Sequence, residues 1–325
     1  MVTDGEGLVL AYILDGDGSG QQVGWQEIDD WKPKQGLLWI HLDYSKPHVR
    51  DWLYNKSGLD DVICDALTEE DSRPRCTTFQ EGLLLTLRGV NLNPGADPED
   101  MVGIRLWFEK NRVISTRRRK LLSITDIQAS IEKGVGPESL GEFLVQISGR
   151  ITERMREVID NLEDAIAGLE EQVMDVESRQ LRSQLADLRR QAISLRRYLS
   201  PQREALTRLL TEKIMWLDER DMIGLREVYD RQARYIEDLD EARDRAAVTQ
   251  EELANRLAEQ MNIKMYILSI VAAIFLPLGF LTGLLGINVG GIPGAENELG
   301  FLVFVILLVV VIVLQIFYFK KKKWL

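Results

Sequence analysis

The hydrophobic pattern of this chain changes period along its length, and each change marks a different kind of structure. Leu8-Val9-Leu10-Ala11-Tyr12-Ile13-Leu14 is a short apolar run closed by the turn-forming Asp15-Gly16-Asp17-Gly18, and it predicts a strand. Leu37 to Leu42 predicts a second strand. His48 to Leu59 and Asp61 to Glu70 read as helices separated at Gly58. Thr77 to Val90, Val102 to Phe108 and Arg112 to Thr116 predict further strands, with Asn91-Leu92-Asn93-Pro94-Gly95 breaking the series. This order predicts a cytosolic α/β domain over residues 1–135, a small sheet flanked by helices.

From about Pro137 the apolar period becomes helical. Leu144, Ile147, Ile151, Met155, Val158, Leu162, Ile166, Leu169 and Val173 recur at spacings of three and four. Leu181, Leu185, Leu188, Ala192, Leu195 and Leu199 repeat the pattern. Residues 136–217 therefore form a long antiparallel helical hairpin turning at Asp175 to Gln180, and Pro201 is expected to kink or interrupt its second helix. A stalk helix comes next, over 218–264. Met222, Tyr229, Ile236 and Leu257 share one heptad position, and Leu225, Leu239, Ala246 and Leu253 share the other. Gln232, Arg243 and Gln250 interrupt that seam. With no proline from Glu219 to Leu276, the simplest reading is one continuous helix, on the order of 100 Å long, running from the stalk into an apolar segment. The alternative is a soluble helix that breaks near Asn262.

That segment is apolar all round. Residues 265–285 carry no charge, and at ~1.5 Å per residue they span about one ~30 Å bilayer core. A second uncharged run covers 301–319. The loop between them, 286–300, opens with Gly286-Ile287-Asn288 at the tip of the first span. That loop has Glu296 and Glu298 but no Lys or Arg, whereas Lys320, Lys321, Lys322 and Lys323 head the basic tail, 320–325, and Lys264 precedes the first span. The positive-inside rule puts both termini in the cytoplasm and the loop outside. The N-terminus shows no basic segment followed by an apolar core, so no signal peptide is expected.

Composition narrows the chemistry. The net charge of −11 makes nucleic acid an unsuitable partner and favours cations near the surface. The two cysteines, Cys64 and Cys76, show no metal-ligand spacing and read as buried thiols in a reducing compartment. With only His41 and His48 beside them, no fixed Cys/His metal site is expected. No phosphate-binding loop, nucleophile elbow or zinc-protease motif occurs, so the chain does not read as an enzyme, and no cofactor is implied. The acidic residues on the helices read mostly as solvated faces, and Arg117-Arg118-Arg119-Lys120 as a solvated strand end.

No Asp, Glu, His, Lys or Arg lies inside the spans, whose polar groups besides two tyrosines are Ser269, Thr282 and Gln315. One hairpin encloses no water path, but symmetric copies around an axis can. An apolar wall binds a bare divalent cation poorly, so the ion would keep much of its water, and a ring of Asn288 amides could hydrogen-bond that shell. A helix C-cap between glycine-rich pieces accounts for Asn288 equally well. Glu296 and Glu298 either concentrate cations at the outer mouth or keep the loop soluble.

Gly286-Ile287-Asn288, embedded between Phe275-Leu276-Pro277-Leu278-Gly279-Phe280-Leu281-Thr282-Gly283-Leu284-Leu285 and Val289-Gly290-Gly291-Ile292-Pro293-Gly294, resembles the signature of the CorA-type divalent metal transporters. Their common form is Gly-Met-Asn, and the Gly-Ile-Asn version is similar to the bacterial zinc transporter branch. The resemblance extends to the order of α/β domain, long helices, stalk, two spans and basic tail. It implies an α+β membrane protein, a homopentameric funnel in the inner membrane, whose filter is Gly286, Ile287 and Asn288. Met265, Leu268, Leu276, Gly279 and Thr282 become candidates to line the pore, and Lys320 to Lys323 to ring its cytosolic end. It implies Zn²⁺ as cargo, with proton-coupled uptake. A Mg²⁺ or Co²⁺ channel and a zinc efflux route are the alternatives within the family. A non-conducting tether or sensor is the alternative outside it. With no acid or histidine in the spans, the stalk acids Glu251, Glu252 and Glu259, with pore water, are the expected proton stations.

Overall fold

The computed structural model describes residues 6–79, 82–175, 179–287, 292 and 297–322. The chain divides into two compact units, 1–251 and 252–325.

In the first unit seven strands form one sheet. They are β1 (Leu8–Leu14), β2 (Gly20–Gln22), β3 (Leu37–Asp43), β4 (Arg75–Phe79), β5 (Gly82–Gly89), β6 (Val102–Glu109) and β7 (Arg112–Arg117). Their order is β2-β1-β3-β7-β6-β5-β4. Of these pairings only β3–β7 is parallel. The run expected as one strand from Thr77 to Val90 is a hairpin, β4 paired antiparallel with β5 in the register Phe79↔Gly82.

Strand β3 is buried on both sides, which is why its sequence is apolar without alternation. Leu38, Ile40 and Leu42 face a core closed by α1 (Trp25–Asp30), α2 (Pro47–Asn55) and α3 (Asp61–Thr68), through Ile28, Trp52, Leu53, Ile63 and Leu67. The alternate face puts the Trp39 ring 5.0 Å from Phe143, on the first long helix. His41 lies on that face too. Its Nδ1 is 2.8 Å from the Ser115 hydroxyl, and burial, with the nearby Arg117 charge, pushes its pKa well down. It is a neutral core histidine.

The helical part comprises α4 (Leu122–Glu132), α5 (Leu140–Asp175), α6 (Arg179–Thr211) and α7 (Glu219–Gly286). Of the kink or interruption expected at Pro201, the interruption does not occur: helix α6 continues through it. One missing N–H leaves a single ladder bond unmade, and the flanking turns are held by buried Leu195, Leu199, Ala205, Leu206 and Leu209. Gln202, next to the proline, is buried and accepts the Arg88 backbone N–H at 2.7 Å through Oε1. That N–H is available because β4 pairs with β5 only as far as Arg75↔Thr86.

The α5–α7 crossing depends on two glycines. A Cβ on Gly224 would sit 2.6 Å from Val145 Cγ1, and one on Gly141 would overlap the Asp221 carboxylate. Asp221 and Asp218 cap the start of α7 reciprocally. The Asp221 N–H donates to Asp218 Oδ1 at 2.7 Å, and the Asp218 N–H to Asp221 Oδ2 at 3.1 Å. Further along, Leu225, Val228, Gln232, Ile236, Leu239, Ala242 and Ala246 form the buried stripe. Gln232 thus belongs to the seam that it was expected to interrupt. Its Nε2 donates to Thr152 Oγ1 of α5 at 3.0 Å, which lets a polar side chain occupy a core position. Arg245 donates to both carboxylate oxygens of Glu170, at 3.2 and 2.5 Å.

Candidate functional site

The continuous helix read from the sequence is observed. Helix α7 keeps its helical assignment past Asn262 and through Pro277 to Gly286. Helix α8 (Gly300–Lys321) comes after it. Both are long and apolar enough to cross a membrane. In the isolated chain their side chains are exposed nearly all round: Leu268 69%, Leu276 73%, Phe301 80%. An apolar surface this continuous is stable only against lipid or other copies of the chain.

By helical spacing Met265, Leu268, Leu276 and Gly279 fall on one stripe of α7, and Thr282 lies at its margin. A Cβ on Gly279 would meet nothing within 4 Å, nor would one on Gly283 or Gly286. Two hydroxyls of the first span are spent on its own backbone. Ser269 donates to the Met265 carbonyl at 2.8 Å, and Thr282 to the Gly279 carbonyl at 3.1 Å. The stripe itself therefore offers a cation almost no ligand.

Gly286 is the last residue of α7, and Ile287 just beyond it is exposed. Asn288, Glu296 and Lys323 lie outside the described residues. Glu298 is exposed in the turn ahead of α8, where Asn297 Oδ1 accepts the Leu299 N–H at 3.0 Å. Lys320 and Lys321 form the last turn of α8, with Lys322 as its C-cap, where cations complement the helix dipole.

Among the stalk acids, Glu252 and Glu259 are two turns apart and in line, and Glu252 accepts a 2.8 Å ion pair from Arg256. Glu251 closes the first unit. All three are exposed.

The structure adds a group that the sequence had placed among solvated faces. On α5 and α7, Glu163 is raised above the ordinary carboxylate range by burial and by the charges of Asp238, Glu241 and Asp160. Asp238 is raised by burial, then by Glu237 and Glu241. Only the pairing of two helices brings these acids together, so no spacing in one segment signals it. Among the described residues no three His, Cys, Asp or Glu side chains are grouped to hold a metal. Cys64 and Cys76 are buried free thiols; burial pushes their pKa values up to about 11 and about 12.

Comparison with known proteins supplies the family. The model described as "CorA-like Mg2+ transporter protein" matches residues 34–321. The divalent cation transporter CmaX of Pseudomonas aeruginosa is 40% identical over 326 aligned positions, covering 99% of this chain and 98% of the relative. The zinc transport protein ZntB of Yersinia pseudotuberculosis is 38% identical over 317, covering 98% and 96%. The structure of full-length CmaX superposes with a TM-score of 0.87 at 39% identity, covering 100% of both chains. The complete CorA magnesium transporter of Methanocaldococcus jannaschii has the same fold, with a TM-score of 0.82 at 20% identity and 100% coverage of both. With a family model spanning most of its length and relatives 38–40% identical from end to end, this chain belongs to the CorA-like family of ion transporters, and is not an enzyme.

Proposed function

We propose that this divalent cation transporter carries Zn²⁺ across the inner membrane, inward and coupled to protons, through a central pore made by a homopentamer. The observation that carries the reading is the chemistry of α7. Its membrane stripe has no ionisable group and spends its hydroxyls on its own carbonyls, and it ends at Gly286-Ile287, immediately before Asn288. A hydrated cation meets its first neutral acceptors there, in the backbone carbonyls of Gly286 and Ile287 and the Asn288 amide. One hairpin has no lumen, and its exposed apolar faces call for lipid on one side and further copies on the other. Both termini face the cytosol in this reading, with Lys320 to Lys323 around the inner end and Glu296 and Glu298 at the outer mouth.

Zinc is favoured as cargo because Gly-Ile-Asn replaces Gly-Met-Asn and because a relative named for zinc transport aligns over nearly the whole chain. Magnesium is the competing cargo, since the family description names it. For coupling, the stalk acids Glu251, Glu252 and Glu259 are the proposed proton stations, all three exposed and none in the spans.

The test is flux into proteoliposomes of the purified chain, with Zn²⁺, Mg²⁺, Co²⁺ and Ni²⁺ compared and an acid-outside gradient imposed. Zinc uptake that rises with the gradient is expected. Asn288→Leu removes the acceptor at similar bulk and should abolish flux with the oligomer intact. Flux of none of the four ions above empty vesicles would leave a tether or sensor as the better reading. Retained flux in an assembled Asn288→Leu protein would reduce Asn288 to a helix cap.

A further inference from the structure

Far along the chain from the spans, four arginines line one cavity of about 390 Å³ in the α/β domain: Arg88 of β5, Arg105 of β6, and Arg118 and Arg119 just beyond β7. Glu70 is the only carboxylate in its lining among the described residues, and Tyr44 and Gly103 complete the wall.

The arginines differ in what they have to bind. Arg88 is fully occupied. It donates to the Ser72 carbonyl at 3.1 and 3.0 Å, to the Met101 carbonyl at 3.1 Å and to Asp71 at 3.2 Å, and its guanidinium lies 4.3 Å from the Tyr198 ring centroid. Arg119 is held by the Asp100 carboxylate. Arg118 donates to Glu70 Oε2 at 3.0 Å, which engages the one lining carboxylate. Arg105 is left over. It is 2% exposed, and of the several N–H donors a guanidinium offers it uses one, from Nη2 to the Glu70 carbonyl at 3.0 Å. Its Nε is buried with no partner among the described residues. No carboxylate among them pairs with it, since the neighbouring Glu69 is taken by Arg75 at 2.7 Å. Burial, and the like charge of Arg88, lower its pKa; the Tyr44 ring, 5.2 Å from the guanidinium carbon, and the Glu69 charge oppose this only in part, and no carboxylate is bonded to it among the described residues.

A buried, uncompensated guanidinium is costly unless something supplies the missing negative charge. The cavity is at the lower end of the ~300–1,000 Å³ range of small-molecule sites. The planar fork of Arg105, with the Arg118 guanidinium also lining the cavity, suits a tetrahedral oxyanion better than a halide. We infer that the cavity between Arg105 and Arg118 is a binding site for the phosphate group of a small soluble molecule. This site does not depend on the transport reading.

The experiment is thermal unfolding of the full-length chain in dodecyl maltoside, titrated with inorganic phosphate, pyrophosphate, or chloride at matched ionic strength. Pyrophosphate near saturation is expected to raise the melting temperature by about 3 °C or more, and chloride to leave it in place. Arg105→Lys keeps the charge and loses the fork. Arg118→Ala alters an exposed side chain, so it tests the site even if the Arg105 variant fails to fold. Each folded variant should weaken the apparent affinity by ~10-fold. Equal shifts with chloride, or an undiminished shift in Arg118→Ala, would overturn the site. A shift with phosphatidic acid micelles and none with phosphate or pyrophosphate would overturn the soluble ligand in favour of a lipid headgroup.

Discussion

Gly141→Ala tests how the stalk is anchored. The added Cβ would fall on Asp221 Oδ2 and 2.5 Å from its Cγ, so the carboxylate has to swing away. That breaks the bond from the Asp218 N–H at 3.1 Å and leaves its partner bond, from the Asp221 N–H to Asp218, in place. Half of a reciprocal cap accounts for about 1 kcal/mol. Repacking a tight helix crossing costs a further ~1–3 kcal/mol. The gain in helix propensity is at most ~1 kcal/mol and smaller in a first turn. The net expectation is a loss of about 2 kcal/mol, which for a unit of this size lowers the melting temperature by roughly 4–8 °C. Tryptophan fluorescence is a suitable readout, because Trp216 stacks on Phe108 at 5.6 Å, two residues before the cap. The double variant Gly141→Ala/Asp221→Ala supplies the control. Removing the carboxylate removes the overlap, so the double variant should lose less stability than the two single variants summed. Strict additivity, or an unshifted Gly141→Ala, would refute the reasoning.

Glu170→Gln should destabilise by less than about 1 kcal/mol, since the Arg245 pair is partly exposed. Because the Arg245 hydrogen bonds hold the Glu170 carboxyl below its ordinary 4.5, that loss should be full above pH 4.5 and fade as pH falls through the lowered folded value, as pH-dependent melting would show. Glu163→Gln should move the other way: its raised carboxyl costs stability at neutral pH, so the variant melts higher there and the advantage disappears below pH 4.5. Gln232→Met should be neutral or slightly stabilising in chemical denaturation, because Gln232 Oε1 is buried without a partner among the described residues and Thr152 keeps its bond to the Ser148 carbonyl at 2.9 Å. Neutralising Glu251, Glu252 and Glu259 together should weaken the response of zinc uptake to an acid-outside gradient. A full response in the triple variant would remove these acids from coupling.

Legibility in the sequence tracks the length of the periodic signal. The long helices are legible because nine apolar positions in a row, Leu144 to Val173, agree on one period, and β1 because its apolar run ends at a turn. The short elements β2, α1 and α4 escape a sequence reading, since three to eleven residues with mixed polarity carry little periodicity. The β4–β5 hairpin reads as one strand because both arms are compatible with an apolar sheet face and the residues between them, Gln80 and Glu81, include no glycine or proline to mark a turn. Gln232 is misplaced by its sequence pattern because burial of a polar side chain depends on a partner 80 residues away, Thr152. The tripeptide Gly286-Ile287-Asn288 draws notice through its position at a span's end, but Asn288 lies outside the described residues. The arginine cavity is not legible, because its members come from five places between Tyr44 and Arg119 and only the fold unites them.

The burial of both thiols bears on how a divalent cation transporter meets a thiophilic ion. Such an ion is captured by thiolate, not thiol. Cys64 is 0% exposed and Cys76 1%, and with pKa values near 11 and 12 neither is deprotonated to any useful extent near neutral pH. These are the only two cysteines in the sequence, so a thiophilic ion meets no ready thiolate on this chain.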